Sequence, residues 1–216
     1  MKKMFSITMI CLLLFLSMNA SIATEKNDGS NFKESIIIKS NDKQIKMLNE
    51  LNHKSLSKAE VYKKVFPKKF TKMPKELKKA LSKIEFKLEK RTADVNDIQS
   101  LNFDVNAIDD MSKGSYISLN GNAIKYRSKT ETYGEKDWIF TESSLHDADT
   151  QEVVAFESKT IANTDFCEVI EYAYPPTGSY YTHGWHVWPY VEFGQVHTFS
   201  VPSVSADDMD YVNPYE

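Results

Sequence analysis

The stretch SYISLNGNAIKYRS, residues 115–128, contains the strongest fold signal in this chain. Its centre, Asn120-Gly121-Asn122, separates two runs in which apolar and polar residues alternate. Asn-Gly between such runs is typical of a tight β-turn, because both residues tolerate a positive φ. The stretch therefore predicts a β-hairpin with strands at 115–119 and 123–128.

Alternating runs continue after this hairpin and predict five further strands, at 138–145, 152–160, 166–174, 179–188 and 195–201. Thr177-Gly178-Ser179-Tyr180 resembles the late strand of many bacterial immunoglobulin-like modules. We therefore expect an α+β fold whose residues 115–201 form an all-β immunoglobulin-like sandwich of about seven strands. An acidic linker at 92–114 precedes the sandwich, and an acidic flexible tail at 202–216 follows it.

Helical patterns occupy the region before the linker, residues 24–91. Ile45, Leu48 and Leu51 indicate a first short helix, and Ser57 with Glu60 forms a capping box that begins a second. A third helix is expected from Pro74 to Arg91, with apolar residues on one side and lysines on the other. The lysines proposed as a basic surface are Lys75, Lys78, Lys79, Lys83 and Lys87. This helix could contact an anionic envelope surface, or its apolar side could simply pack on the rest of the protein.

Charge divides the chain into a basic front and an acidic back. Residues 24–91 contain eighteen Lys and one Arg against nine acidic residues, whereas residues 92–216 contain six basic and twenty-one acidic residues. The net charge of −3 conceals this asymmetry. Nucleic acid is not an expected partner, because the basic region has few aromatic residues to stack on bases.

The first 23 residues predict a signal peptide. Lys2 and Lys3 precede an apolar stretch, and Ser21-Ile22-Ala23 provides small residues before the predicted cleavage site. We expect a secreted protein, extracellular or associated with the cell envelope, with no transmembrane segment after cleavage. Lys, Asn and Ile usage suits a Gram-positive bacterium. The pair Lys90-Arg91 also leaves open the removal of the basic region as a pro-segment.

No residue pattern predicts a catalytic, metal or cofactor site. Cys167 is the only cysteine after the predicted cleavage and lies on the same strand face as Val169, which favours a buried side chain over a thiol nucleophile. His183 and His186 should point to opposite faces of one strand, while a hairpin centred between 191 and 192 would pair His186 with His197. Two imidazoles lack the third ligand that zinc requires.

Acidic residues in one turn and aromatic residues near the C-terminus give two weaker candidates. Asp147, Asp149 and Glu152 lack the glycine and the distant glutamate of a calcium loop, so a solvated turn is expected. The aromatic cluster can form core, or it can provide a recognition surface for a glycan or a protein. For that surface we propose Tyr181, His183, Trp185, Trp188 and Tyr190.

The sequence therefore favours an exported, non-enzymatic binding or interaction protein whose partner is not identified. The alternative is a secreted toxin or bacteriocin-like precursor, in which the basic helical half is a pro-region or a membrane-active segment. A hydrolase that uses Cys167 or the histidines is the least supported hypothesis.

Overall fold

The computed structural model describes residues 32–52, 54–86 and 111–216, which belong to one compact unit, Phe32–Glu216. The predicted signal peptide lies outside the described residues, as do most of the predicted linker and the last residues of the predicted third helix. The described elements, in chain order, are β1 Ile36–Lys39, α1 Asp42–Asn52, α2 Lys58–Val65, α3 Pro67–Lys72, α4 Lys75–Leu81, β2 Met111–Asn120, β3 Ala123–Asp147, β4 Val153–Ala173, β5 Gly178–Glu192, β6 Gln195–Val204 and β7 Met209–Tyr211.

The described strands form one antiparallel sheet. Its order is β1-β4-β3-β5-β6, with β2 paired to the first part of β3 and β7 paired to the start of β5. The sheet is open and sandwich-like, and the described helices lie toward the N-terminus, between β1 and β2 in the chain. The predicted β-rich fold is confirmed at this level.

Strands β3 and β4 fold back on themselves and so make two layers from one sheet. The hydroxyl oxygens of Thr130 and Thr141 lie 2.7 Å apart, although a straight strand would separate these residues by about 35 Å. The bend falls in 132–136, where the register of β3 against β4 shifts and Gly134 adopts a φ of 72°. A side chain at that φ would be strained, so glycine suits the bend.

The first layer contains the later part of β3, the early part of β4, and β1, β5 and β6, and the helices cover it. Tyr62 of α2 packs its ring against Phe140 and Phe156, and Phe66, directly after α2, stacks on Phe156; the centroid separations are 5.6–6.1 Å. Strand β1 contributes Ile36 and Ile38 to the same core. The second layer contains β2, the early part of β3 and the late part of β4.

Between the two layers lies a band of polar side chains flanked by two small apolar clusters. Hydrogen bonds connect the hydroxyl groups of Ser115, Ser128 and Ser143, and a neighbouring set connects Thr130, Thr141 and His186. We call this the hydroxyl band: Ser115, Ser128, Thr130, Thr141, Ser143, His186 and Ser203. Each polar group is satisfied by another, which offsets the cost of its burial.

The predicted first two helices are present, and the third is shorter than expected. The Ser57 hydroxyl accepts a hydrogen bond from the Glu60 amide, and the Glu60 carboxylate accepts one from the Ser57 amide. The predicted capping box is therefore confirmed. Helix α4 ends at Leu81 rather than continuing to 91, because residues 84–86 return to the start of α2 through backbone hydrogen bonds. The long amphipathic helix is therefore not supported over its described part.

The predicted hairpin is confirmed, and residues 138–146 pair with residues 153–162, but four of the predicted bounds are wrong. The predicted strands 123–128 and 138–145 belong to one folded strand, as do 152–160 and 166–174. The expected flexible tail instead carries the end of β6 and all of β7, and the Tyr211 hydroxyl donates to the Asn122 carbonyl at 2.8 Å. Residues 111–114 of the predicted linker belong to β2.

None of the helices in the described ranges has both the length and the apolar content to cross a bilayer.

Candidate functional site

The five residues predicted as a recognition surface fall on both faces of β5. Tyr181, His183 and Trp185 face the helices, whereas Trp188 and Tyr190 lie on the opposite face. Tyr181, His183 and Trp188 are buried, and Trp185 and Tyr190 are half-buried. Both faces of β5 are largely buried, because the helices cover one face and the second layer covers much of the other.

A buried ion pair joins the helices to the sheet beside these residues. Lys58 Nζ lies 2.5 Å from Glu142 Oε1, and the Tyr62 hydroxyl donates to Glu142 Oε2 at 2.6 Å. Lys58 Nζ also lies 5.0 Å from the centre of the Trp185 ring and 5.7 Å from that of Phe86. Burial first, and then the negative charge of Glu142, raise the pKa of Tyr62 well above its ordinary value.

Beside the ion pair, Ser144 and His146 approach each other as in a nucleophile–base pair. Ser144 Oγ lies 2.7 Å from His146 Nε2, and His146 Nδ1 lies 3.4 Å from the Gln151 carbonyl oxygen. Tyr181 stacks on the His146 ring at 5.0 Å. Both members of the pair are buried, and the cavity here is about 10 Å³, the size of a single water molecule. The described residues thus leave no room for a substrate next to Ser144.

Burial dominates the electrostatics of His146, His183 and His186, the buried histidines of β3 and β5. It lowers the pKa of His146 to about 4 and that of His186 to about 3, because a charged imidazolium loses its hydration there. It also lowers the pKa of His183 well below the ordinary value, and His146 and Lys58 lower it further. Burial therefore favours the neutral form of all three imidazoles at pH 7, and the rings of His146 and His186 form hydrogen bonds within the core.

The predicted opposite orientation of His183 and His186 is confirmed, whereas the predicted pairing of His186 with His197 is wrong. His186 lies opposite Val201, and His197 lies opposite Tyr190, because the hairpin is centred between 193 and 194 rather than two residues earlier. Within the described ranges, no three His, Cys, Asp or Glu side chains come together as a metal site would require.

Cys167 and the acidic turn have the structures that the sequence favoured. Cys167 is buried, and burial raises the pKa of its thiol to about 11. Asp147 Oδ1 accepts hydrogen bonds from the amides of Asp149 and Thr150, which closes the turn locally.

The proposed basic surface is only partly formed by described residues. Lys75, Lys79 and Lys83 are exposed, and Lys87 lies outside the described residues. Lys78 is half-buried and donates a hydrogen bond to the Thr71 carbonyl at 2.8 Å.

Four large apolar side chains are exposed together on the outside of the second layer. We call this surface the outer face, and its aromatic and aliphatic members are Tyr116, Phe166, Ile170 and Tyr172. They are 38–47% exposed, which is high for side chains of this size within a paired sheet. Across the strands, Tyr116 lies opposite Arg127, which lies opposite Ile170.

The outer face was missed although the sequence contained a signal for it. Placing Cys167 and Val169 on the buried side of β4 leaves Phe166, Ile170 and Tyr172 on the other side. The recognition surface was predicted on β5 instead, because aromatic residues are denser there.

No model of a known protein family matches this chain, and no curated protein is similar enough to it to count as a relative. The function must therefore be argued from the site.

Proposed function

We propose that this chain is an exported, non-enzymatic binding protein that recognises a glycan of the cell envelope or its surroundings through the outer face. The observation that supports it is the exposure of four large apolar side chains on one sheet face whose reverse side is already packed. The described core does not bury these four side chains, so packing within the protein does not explain why they are apolar. Aromatic rings that combine apolar area with a polar tip are suited to ligands that are themselves amphipathic, such as sugar rings.

Tyr116 is held in a defined position on this face. Its ring extends along β2 toward Gly114, where a methyl group on the glycine would come within 2.7 Å of the tyrosine oxygen. The guanidinium carbon of Arg127 lies 5.4 Å from the centre of the ring, and Glu168 forms an ion pair with Arg127. A preorganised ring reduces the entropy lost on binding.

The charges on the outer face favour an acidic glycan. Lys125, Arg127 and Lys129 follow one another on β3, and they are three of the six basic residues after position 91. The carboxylates of Glu168 and Glu131 lie next to Arg127 and Lys129, respectively. The three cations outnumber these two carboxylates, so the face keeps a small positive excess in an otherwise acidic region, which would attract a ligand that carries carboxylate, sulfate or phosphate.

The alternative of a membrane-active toxin precursor has less support from the described residues. Leu77, Leu81 and Ile84, the apolar side of the predicted third helix, are buried in the core that the helices share with the sheet. A segment that inserts into lipid would have to withdraw these side chains first. The proposal does not depend on the immunoglobulin-like type of the sandwich, which stays a prediction.

Binding is tested by measuring retention of the purified protein on immobilised acidic and neutral polysaccharides. We expect retention on an acidic polysaccharide that weakens with added salt, because screening reduces the attraction between exposed charges. Replacing Tyr116 or Tyr172 by Ala should weaken binding about tenfold or more, as is usual for a central aromatic contact.

Tyr133→Ala is the matched control, because Tyr133 is 78% exposed but lies in the bend of β3 rather than on the outer face. Equal losses in Tyr133→Ala and Tyr116→Ala would refute the assignment of the surface. Retention on a neutral polysaccharide alone would be consistent with the outer face as a binding site but would refute an acidic ligand.

Export is tested separately by mass spectrometry of protein recovered from culture medium. We expect an N-terminus at Thr24. A chain found only in cells with Met1 retained would contradict export, whereas one beginning near Thr92 would establish removal of a pro-segment.

A further inference from the structure

Two glutamate side chains meet in the space between the layers, one from each half of the folded strand β4. Phe156 faces the helices, so its neighbour Glu157 points to the opposite side, toward the second layer. Glu171 shares its side of β4 with Ala173, which packs in an apolar cluster of the same space. The two glutamate side chains hydrogen-bond each other. Ionised carboxylates are acceptors only, so this hydrogen bond requires a proton on one of them.

The nearest cation, Lys39 of β1, serves only one member of this pair. Lys39 lies directly opposite Glu157 in the pairing of β1 with β4, but its Nζ lies 2.5 Å from Glu171 Oε2. Glu157 is 7% exposed, and within the part of the chain that the structure describes no N–H or hydroxyl group donates to its Oε2. A buried carboxylate without a donor is costly. A proton on Glu157 removes that cost and supplies the hydrogen bond to Glu171.

We propose that Glu157 and Glu171 share one proton, and that this proton fastens the two layers of the sheet to each other in a pH-dependent way. Glu157 carries the proton and donates it to the Glu171 carboxylate, which Lys39 neutralises from the edge of the sheet. Together the three groups then have no net charge. Loss of the proton leaves two carboxylates beside one ammonium group, and the two halves of β4 repel each other. The inference does not depend on the proposed glycan site.

The charged and titratable groups around the pair place the proton on Glu157. Burial first, and then the hydrogen bond and the charge of Glu171, raise the pKa of Glu157 to about 8, although Lys39 and Lys159 act in the opposite direction. Burial would also raise the pKa of Glu171, but the hydrogen bond from Glu157 and the Lys39 ammonium group lower it below its ordinary value. Tyr126 faces the pair from β3, and burial raises the pKa of its phenol, so it stays neutral.

The first test compares urea unfolding of the parent chain and of Glu157→Gln, whose amide can donate to Glu171 but does not titrate. The stability that the shared proton contributes is fully present below the unfolded pKa of about 4.5 and is lost as the pH rises through about 8. Between about pH 5.5 and 7.5, the unfolding equilibrium constant of the parent should therefore rise about tenfold per pH unit relative to that of Glu157→Gln. The buried histidines are common to both proteins and cancel in this ratio. Glu135→Gln, at an exposed position of β3, is the matched control and should keep the profile of the parent.

Carbon-13 NMR of the glutamate carboxyl groups provides a second measurement, made on the folded protein. We expect one glutamate of the parent to titrate near pH 8, and we expect this titration to be absent from Glu157→Gln. Glu171→Gln should lower the midpoint by about one pH unit or more, because the neighbouring negative charge is gone and Lys39 can pair with Glu157. The parent and Glu171→Gln alone decide the matter if Glu157→Gln does not fold.

A folded parent chain in which no glutamate titrates above pH 6.5 would overturn the proposal. So would an unfolding ratio between the parent and Glu157→Gln that does not change with pH. A midpoint that stays the same in Glu171→Gln would show that burial alone holds the proton, and would refute its sharing between the two carboxyl groups.

Discussion

Replacing Lys58 by Met removes the cation that neutralises Glu142 between the helices and the sheet. The two side chains are only 4% and 3% exposed, and their charged atoms lie 2.5 Å apart. The cavity beside the pair is about 10 Å³, room for about one water molecule, which is too little to hydrate an unpaired carboxylate. Removing one partner of a buried pair typically costs about 3–5 kcal/mol. We expect the lower part of that range, because the Tyr62 hydroxyl still donates to Glu142.

Replacing both partners should recover much of this loss. In Lys58→Met with Glu142→Gln, no charge is buried, and the glutamine oxygen can still accept the hydrogen bond from Tyr62. We expect the double variant to lie within about 2 kcal/mol of the parent, since apolar or neutral replacements of buried pairs are often near neutral. Urea unfolding, followed by circular dichroism and tryptophan fluorescence, gives the free energy of unfolding for each protein.

The two variants together separate a buried charge from lost packing, because both lose the lysine side chain and only the single variant leaves the Glu142 carboxylate without its cation. A single variant that loses less than about 1 kcal/mol, or a double variant no more stable than the single, would refute the reasoning.

The buried histidines, Gly184 and Cys167 give three further predictions. His146, His183 and His186 have folded-state pKa values below their unfolded value of 6.5, so the unfolded chain binds more protons in acid. The stability they contribute is present above about pH 6.5 and is lost as the pH falls toward 4 and 3; unfolding free energies that do not decrease between pH 6.5 and 4 would contradict this. Gly184→Ala should lower stability by about 1–3 kcal/mol in the same urea assay, because its methyl group would lie 2.5 Å from the Ser115 hydroxyl oxygen. Cys167 should react with a thiol reagent at pH 8 only after unfolding, since burial raises its pKa to about 11; rapid labelling of the folded protein would contradict its burial.

Local signals in the sequence predicted local structure well. The Asn120-Gly121 turn and the Ser57–Glu60 capping box each depend on a few neighbouring residues, and both are present. The burial of Cys167 was predicted correctly, because it alternates with polar residues on a strand that buries only one of its faces at that point.

Features that depend on distant contacts could not be read from periodicity. Trp138 to His146 is buried on both faces, by helices on one side and the second layer on the other, so its alternation of apolar and polar residues does not identify an exposed face. Glu142 illustrates the difficulty. A charged side chain in a strand usually faces solvent, but that of Glu142 is buried and faces Lys58 of α2. The candidate site was missed for a different reason: the alternation along β4 does separate Phe166, Ile170 and Tyr172 from the buried Cys167, but the prediction followed the denser aromatic residues of β5.

The hydroxyl band gives the two sides of the folded sheet different mechanical character. Hydroxyl groups such as those of Ser115 and Ser128 can exchange each other for water at a small net cost, whereas the packed rings of Tyr62 and Phe140 cannot. Strand β2 should therefore open more often than the helix-covered strands, and its amide protons should exchange with solvent sooner. Because the outer face belongs to this softer layer, a bound glycan would slow that exchange and would convert a locally loose region into a rigid one.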